Sequence, residues 1–283
     1  MNISRVILSI CLMLLIFSAS SAWGFEKQAH IEISKIALEL YKELYPLQSK
    51  QIHESLTIFI DGSGKEDDIS FSLQRLVNWH FYDPESRLGH AWWGARKSNR
   101  KRFEYLAAKL IKSTGKGLPD IYGLAGRLAH HIQDMSSPPH VVPIYHTIKD
   151  PFDKYATTEI VSVKLTSAQL DAAKNEQRNL ELETMLELLN DAATKTIDRV
   201  EKPVSFDGRV IASDWTGFWR KFELTGAECG QKPHKDFGCY GKNTFGIEVE
   251  QFTSPVYDRF YKEQIARAIE DTLRLLILLD RVE

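Results

Sequence analysis

The sequence predicts an all-α protein, and three observations carry that expectation. Apolar residues recur at helical spacing in window after window, as in Ile31, Ile33, Ile36, Ala37, Leu40 and Tyr41. Alternating strand patterns are scarce along the whole chain. Helix punctuation sits where the periodicity needs it, with Thr166 and Gln169 spaced as a capping box and Pro138-Pro139 as a stop. With 283 residues, 43% of them apolar, the chain can bury a full core as one large domain.

The N-terminus reads as a cleaved export signal, residues 1–22, followed by a helical domain over 23–283. Arg5 gives the positive start, Val6 to Phe17 the apolar run, and Ser20-Ser21-Ala22 the small-residue cleavage site. The run is too short for a comfortable membrane span. Cleavage after Ala22 makes Trp23 the mature N-terminus, and Cys11 leaves with the signal. The mature chain then keeps Cys229 and Cys239. In an oxidising compartment one disulfide is the natural reading, with two thiols or half a metal site as alternatives. A formal net charge of −2 argues against a generic nucleic-acid binder but leaves room for a local basic patch. No repeat of solenoid length is visible.

Taken in order, the first helix follows His30 through HIEISKIALELYKEL. His30 near its start would, alone, be read as a surface residue. Gln48 to Ile60 reads as a second helix, running into DGSGKEDD at 61–68, an expected Gly-broken acidic loop. That loop offers carboxylates, but its order does not fit an EF-hand. Phe71 to Trp79 leads to HFYDP at 80–84, with a turn at Asp83-Pro84. Trp92-Trp93 precede a helix from Lys97 to Lys112 that opens among Arg96, Lys97, Arg100, Lys101 and Arg102. The pair reads as inward packing beside a solvated basic face, with a lipid or polynucleotide surface as the alternative.

Gly126 to Met135 reads as the next helix, and this region holds the densest chemistry. Four of the nine histidines, His130, His131, His140 and His146, fall between Leu124 and His146, with Asp134 among them. His130 and Asp134 are one turn apart and share a face. His131 is rotated by about 100° and faces a different environment. An imidazole and a carboxylate on one rigid face are half of a zinc site. The prolines then bring His140 in from a non-helical segment. H-x3-D-x5-H with a further His points to metal binding. Asp150-Pro151 suits a helix entry with Asp153 in its first turn, where capping alone would explain it. Leu165 to Val200 reads as one or two helices with Met185, Leu186, Leu188, Leu189 and Ala192 as a core stripe. Val204 to Cys239 reads as irregular with Trp215, Phe218 and Trp219 as packing residues. Pro255 to Arg281 is a long closing helix.

The ordered set Trp23, His30, Asp67, His80, His130, Asp134, His140, His146 and Asp153 resembles the zinc-dependent phospholipase C family and its relatives, the S1/P1 nucleases. H-x3-D-x5-H matches, and HFYDP looks like the phospholipase branch. The resemblance spans about residues 23–160 and implies a compact single domain of that helical type. It also implies three zinc ions. Asp67, His80, His130 and Asp134 would hold one. Asp134 would bridge to a second, held by His30 and the amine and carbonyl of Trp23. His140, His146 and Asp153 would hold the third. Asp67 is preferred to Asp68 on its spacing to His80, and Asp153 to Asp150 because PFDKY fits the family's context. His30 lies further from Trp23 than in the nucleases. Carboxylate-rich sites also take manganese or iron.

The activity implied is a secreted or periplasmic phosphoric ester hydrolase, a phospholipase C that releases a phosphorylated headgroup and diacylglycerol from phosphatidylcholine or a related lipid. Zinc would activate water, and the carboxylate at Asp67 would orient or deprotonate it. Its expected partner is a phospholipid at a membrane surface, with no protein partner implied. The alternatives are a P1-like nuclease or 3′-nucleotidase, with nucleic acid as partner, and a non-catalytic exported protein with structural zinc.

Overall fold

A computed structural model describes residues 26–68, 80–84, 99–115, 117–142, 152, 157–176, 178–206, 208–212, 214–215, 220–221, 238–239 and 255–280. Its helices are α1 (Lys27–Leu44), α2 (Pro46–Gln51), α3 (His53–Lys65), α4 (Asn99–Ile111), α5 (Leu118–Asp134), α6 (Thr157–Ile160), α7 (Ser167–Lys174), α8 (Leu182–Val200) and α9 (Pro255–Leu279). The strands are short: β1 (Val204–Phe206) with β2 (Arg209–Ala212), and β3 (Arg220–Lys221) with β4 (Gly238–Cys239), both pairs antiparallel. The all-α class holds, and the region expected to be irregular carries these two small ladders. No helix among the described residues is long and apolar enough to cross a membrane.

Helix α5 is the axis of the molecule. Pro119 stands in its first turn, where a missing N–H costs nothing, and Asp120 adds a carboxylate to the positive end of the dipole. Its far end is set by proline chemistry. Ser137 is extended, as a residue before proline must be, and Pro138–His140 form a single 3-10 turn. Helix α9 runs beside α5 with nearly every turn buried, and its aromatic face gathers Phe152 against Tyr257, Phe260 and Tyr261. Trp215 is buried and stacks on Phe260 at 3.9 Å between ring centroids. The capping box at Thr166 and Gln169 is present at the start of α7.

The stretch 61–68 departs from expectation. Helix α3 continues through Asp61, Gly62, Ser63, Gly64 and Lys65, and only Glu66–Asp68 form the turn. The glycines do not break this helix because each is packed against a neighbour, Gly62 against α5 and Gly64 against Lys27 and Ile31 of α1. A Cβ on Gly126 would lie 2.1 Å from Phe59 O, and one on Gly62 would lie 2.7 Å from Gly123 O. Both positions exclude any side chain, so the two backbones cross almost in contact. Tertiary packing here outweighs the poor helix propensity of glycine. The crossing delivers the C-terminal end of α3 to the middle of α5. The second helix expected over Gln48 to Ile60 is split at Ile52 into α2 and α3.

Candidate metal centre

His30, Asp67, His80, His130, Asp134 and His140 are all buried and converge on the C-terminal half of α5. Each arrives by a separate route. His30 lies in the first turn of α1, inside the protein and not on the surface. Asp67 hangs from the turn that ends α3. His130 and Asp134 project from one face of α5, as their spacing predicts.

The HFYDP segment is held by its own backbone. Asn99, at the start of α4, donates from Nδ2 to His80 O at 3.0 Å and from its backbone N to Phe81 O at 2.9 Å. Tyr82 N donates to His140 O at 2.8 Å. His80 and His140 are thereby laced together, with ring centroids 5.7 Å apart.

The polar atoms meet closely. Asp134 Oδ2 lies 2.5 Å from His80 Nδ1 and 3.5 Å from His130 Nε2, while Oδ1 lies 3.4 Å from His30 Nε2. The Asp67 oxygens stand 3.9 Å from His130 Nε2 and 4.0 Å from His30 Nε2, beyond hydrogen-bond reach of either atom. Rings His30 and His130 stack at 3.9 Å. Outer contacts fix the imidazoles. His130 Nδ1 donates to Ser63 O at 2.9 Å, which turns Nε2 inward, and Nε2 makes no hydrogen bond among the described residues. His30 Nδ1 is 2.7 Å from Gln133 Oε1, and the amide of Gln133 donates to Ser34 Oγ and Thr272 Oγ1. Such outer partners set tautomer and ring orientation in metal sites.

The electrostatics are those of a crowded donor set. Burial lowers His30, but the Asp134 hydrogen bond and the charges of Asp134 and Asp67 outweigh it and raise its pKa above the ordinary 6.5. Burial and the neighbouring His30 charge hold His130 well below that value. Burial pushes Asp134 up, yet His130, His80 and His140 around it hold its carboxyl well below 3.8.

Among the described residues, three combinations bring one donor atom per residue within 4.8 Å of one another: His30, His130 and Asp134; Asp67, His80 and His130; and His80, His131 and Asp134. Imidazole nitrogens and carboxylate oxygens at this density are the donor chemistry of zinc. The inward, undonated Nε2 of His130 fits a cation and fits no described hydrogen-bond donor or acceptor role.

The second combination draws its three residues from the set expected to hold one ion, whereas the first takes His30 and Asp134 from the other expected site together with His130, and the third brings in His131. His140 reaches the cluster's edge, whereas its expected companions His146 and Asp153, together with Asp150, lie outside the described residues. So do Trp23, Trp92, Trp93, Arg96, Lys97 and Cys229. Between Asp67 and Asp68, the buried one is Asp67; Asp68 turns away to pair with Lys27. His131, expected to face a different environment, faces both: its Nε2 lies 3.5 Å from Glu66 Oε2, and the ring also offers a donor atom close to His80 and Asp134. Sequence reasoning missed Gln133, Ser63 O and Asn99. None has a spacing rule, because each contact depends on the tertiary approach of another element.

No protein-family model matches the sequence, and no curated protein does. Solved structures do match in shape. The alpha toxin of Clostridium absonum superposes with a TM-score of 0.54 at 13% identity, over 92% of this chain and 66% of the toxin. The alpha-toxin of Clostridium perfringens from the avian strain SWCP gives 0.52 at 12% identity, over 93% and 64%. The chain thus spans slightly less than two thirds of these toxins' length. Over nearly its whole length it shares a fold with these toxins.

Proposed function

We propose that this protein is an exported, zinc-dependent phosphoric ester hydrolase, most specifically a phospholipase C acting on phosphatidylcholine or a related phospholipid. The observation that carries this reading is the convergence of four buried imidazoles and two buried carboxylates at one end of α5 in an alpha-toxin-like fold. HFYDP favours a lipid over a polynucleotide substrate. Asp67, His80, His130 and Asp134 would hold one ion, and His30 and Asp134, with the terminal amine and carbonyl of Trp23, a second. His140, His146 and Asp153 would serve a third. Export followed by cleavage after Ala22 would leave residues 23–283 as the working domain and free the amine of Trp23.

When bound, zinc supplies Lewis acidity toward phosphate oxygens and brings the pKa of water down to about 7. The chain's own residues do the remainder. Ser63 O and Gln133 keep His130 and His30 in the tautomers that present Nε2 to the centre. Asp67 would orient the attacking water or take its proton. Asp67→Asn is therefore expected to lower kcat about 100-fold or more, as removal of a general base does, with a much smaller change in KM; equal losses in both would remove that role from Asp67.

The deciding experiment is headgroup release from phosphatidylcholine vesicles by the chain beginning at Trp23. Release that stops with a chelator and returns with zinc supports the phospholipase C reading. Cleavage of single-stranded DNA by the zinc-loaded protein, without headgroup release, would favour the P1-like alternative.

A further inference from the structure

Behind the metal-centre residues lies a second buried ionic group that the ligand scheme does not use. Glu66, the residue that ends α3, is fully buried. Arg102 of α4 donates to it through Nε and Nη2, each at 3.3 Å. Arg127 of α5 donates through Nε and pairs through Nη2. His131, one turn further along α5, completes the ring of partners at 3.5 Å. One carboxylate is thus gripped from two helices by two guanidiniums and an imidazole.

The consecutive acids 66, 67 and 68 fan out in three directions. Glu66 reaches α4 and α5, Asp67 reaches His30 and His130, and Asp68 reaches Lys27 on α1. With a neighbour held on each side, the backbone at 67 has little freedom to re-aim its carboxylate. The two outer acids are unequal, because the Glu66 group is buried and forked whereas the Asp68 pair is half exposed. A buried ion pair costs desolvation and is retained in some proteins for the geometry it specifies.

We propose that Glu66 is a positioning residue for the metal centre: through Arg102, Arg127 and His131 it holds the last turn of α3 so that Asp67 faces His30 and His130. This inference rests on the metal-centre reading above.

The test is zinc affinity of the purified protein, measured by competition with a chromophoric chelator, together with the visible spectrum of the Co2+-loaded form. Glu66→Gln is expected to weaken zinc binding by about 10- to 100-fold, the usual cost of losing an outer partner, and to alter the Co2+ spectrum. Arg102→Met, which keeps an apolar stem and leaves Arg127 in place, is expected to act in the same direction but less. A folded Glu66→Gln protein with unchanged zinc affinity and Co2+ spectrum overturns the inference, even if it melts earlier, since Glu66 would then only fasten helices. Should Glu66→Gln fail to fold, Arg102→Met decides: unchanged zinc affinity overturns the inference. If the unaltered protein takes up no zinc, the metal-centre reading falls and this one with it. That outcome is distinct from one in which the unaltered protein and its variants bind zinc equally.

Discussion

Two buried polar clusters in this molecule solve the problem of hidden charge differently. Between α7, α8 and α9, Glu176 and Asp271 are buried among permanent cations. Arg178 holds Glu176 at 2.8 and 2.6 Å, Arg274 reaches Glu176 at 3.1 Å and Asp271 at 2.9 Å, and Lys195 reaches Asp271 at 3.3 Å. In the His/Asp cluster, the carboxylates Asp67 and Asp134 face imidazoles, two of them stacked. The arginine cluster is neutralised by its own side chains. The histidine cluster gathers nitrogen and oxygen donors of the kind a metal cation takes. The first has the composition of a fastening and the second of a binding site.

The sharpest way to break this comparison is zinc itself. Zinc at a thousandfold over its dissociation constant stabilises a one-site protein by about 4 kcal/mol, which for a chain of this size raises Tm by roughly 8–16 °C. Asp134→Asn should erase that rise. Thermal melts with and without chelator measure it, and a Tm indifferent to zinc would make the two clusters alike.

The second largest effect belongs to the arginine cluster. Arg274→Met should cost about 1–3 kcal/mol by leaving Glu176 and Asp271 under-satisfied, while the increment from zinc stays the same. The pH profiles should differ as well. The Arg178 hydrogen bond outweighs burial and holds Glu176 at about 2, below the ordinary 4.5. A depressed carboxyl gives stability that is present above its unfolded value and lost as pH falls through the folded one, so this contribution fades below pH about 4.5, zinc or no zinc.

At the metal centre the signs compete. His30, raised, stabilises the zinc-free protein below pH about 6.5 and loses that contribution as pH rises through its folded pKa. His130, depressed, does the reverse, since the unfolded ring binds a proton that the folded ring refuses. Zinc must displace the His30 proton, so zinc affinity should weaken as pH falls through the His30 pKa. Chelator competition across pH 5–8 checks the direction, and affinity flat with pH would remove His30 from the ligand set.

Legibility followed the range of the interaction. His130 and Asp134 were readable because a helical period fixes their shared face, and the stop at Pro138 because proline restricts the residue just before it. His30, Asp67 and His80 lie on segments whose internal periodicity points to no site; only the ordered set, matched to a family, singled them out. Gly62 misled because local propensity counts glycine as a breaker, whereas the α3–α5 crossing needs a residue without a Cβ at 62 and 126. Glu66 and Gln133 were invisible for the same reason, since their partners come from elements distant in the chain.

The smallest effect sharpens the comparison within a single turn. Asp68 and Lys27 form an ion pair, but their side chains are 42% and 45% exposed. Exposed pairs contribute about 0–1 kcal/mol and are screened by salt. Asp68→Asn should therefore shift Tm by no more than about 2–4 °C. It should also leave zinc affinity close to unchanged, although Asp68 is as near to Asp67 in sequence as Glu66 is. If Asp68→Asn weakens zinc as strongly as Glu66→Gln, then adjacency in the chain, and not the buried fork from α4 and α5, is what aims Asp67. Parallel chelator titrations on the two variants decide between a turn held by burial and one held merely by its neighbours.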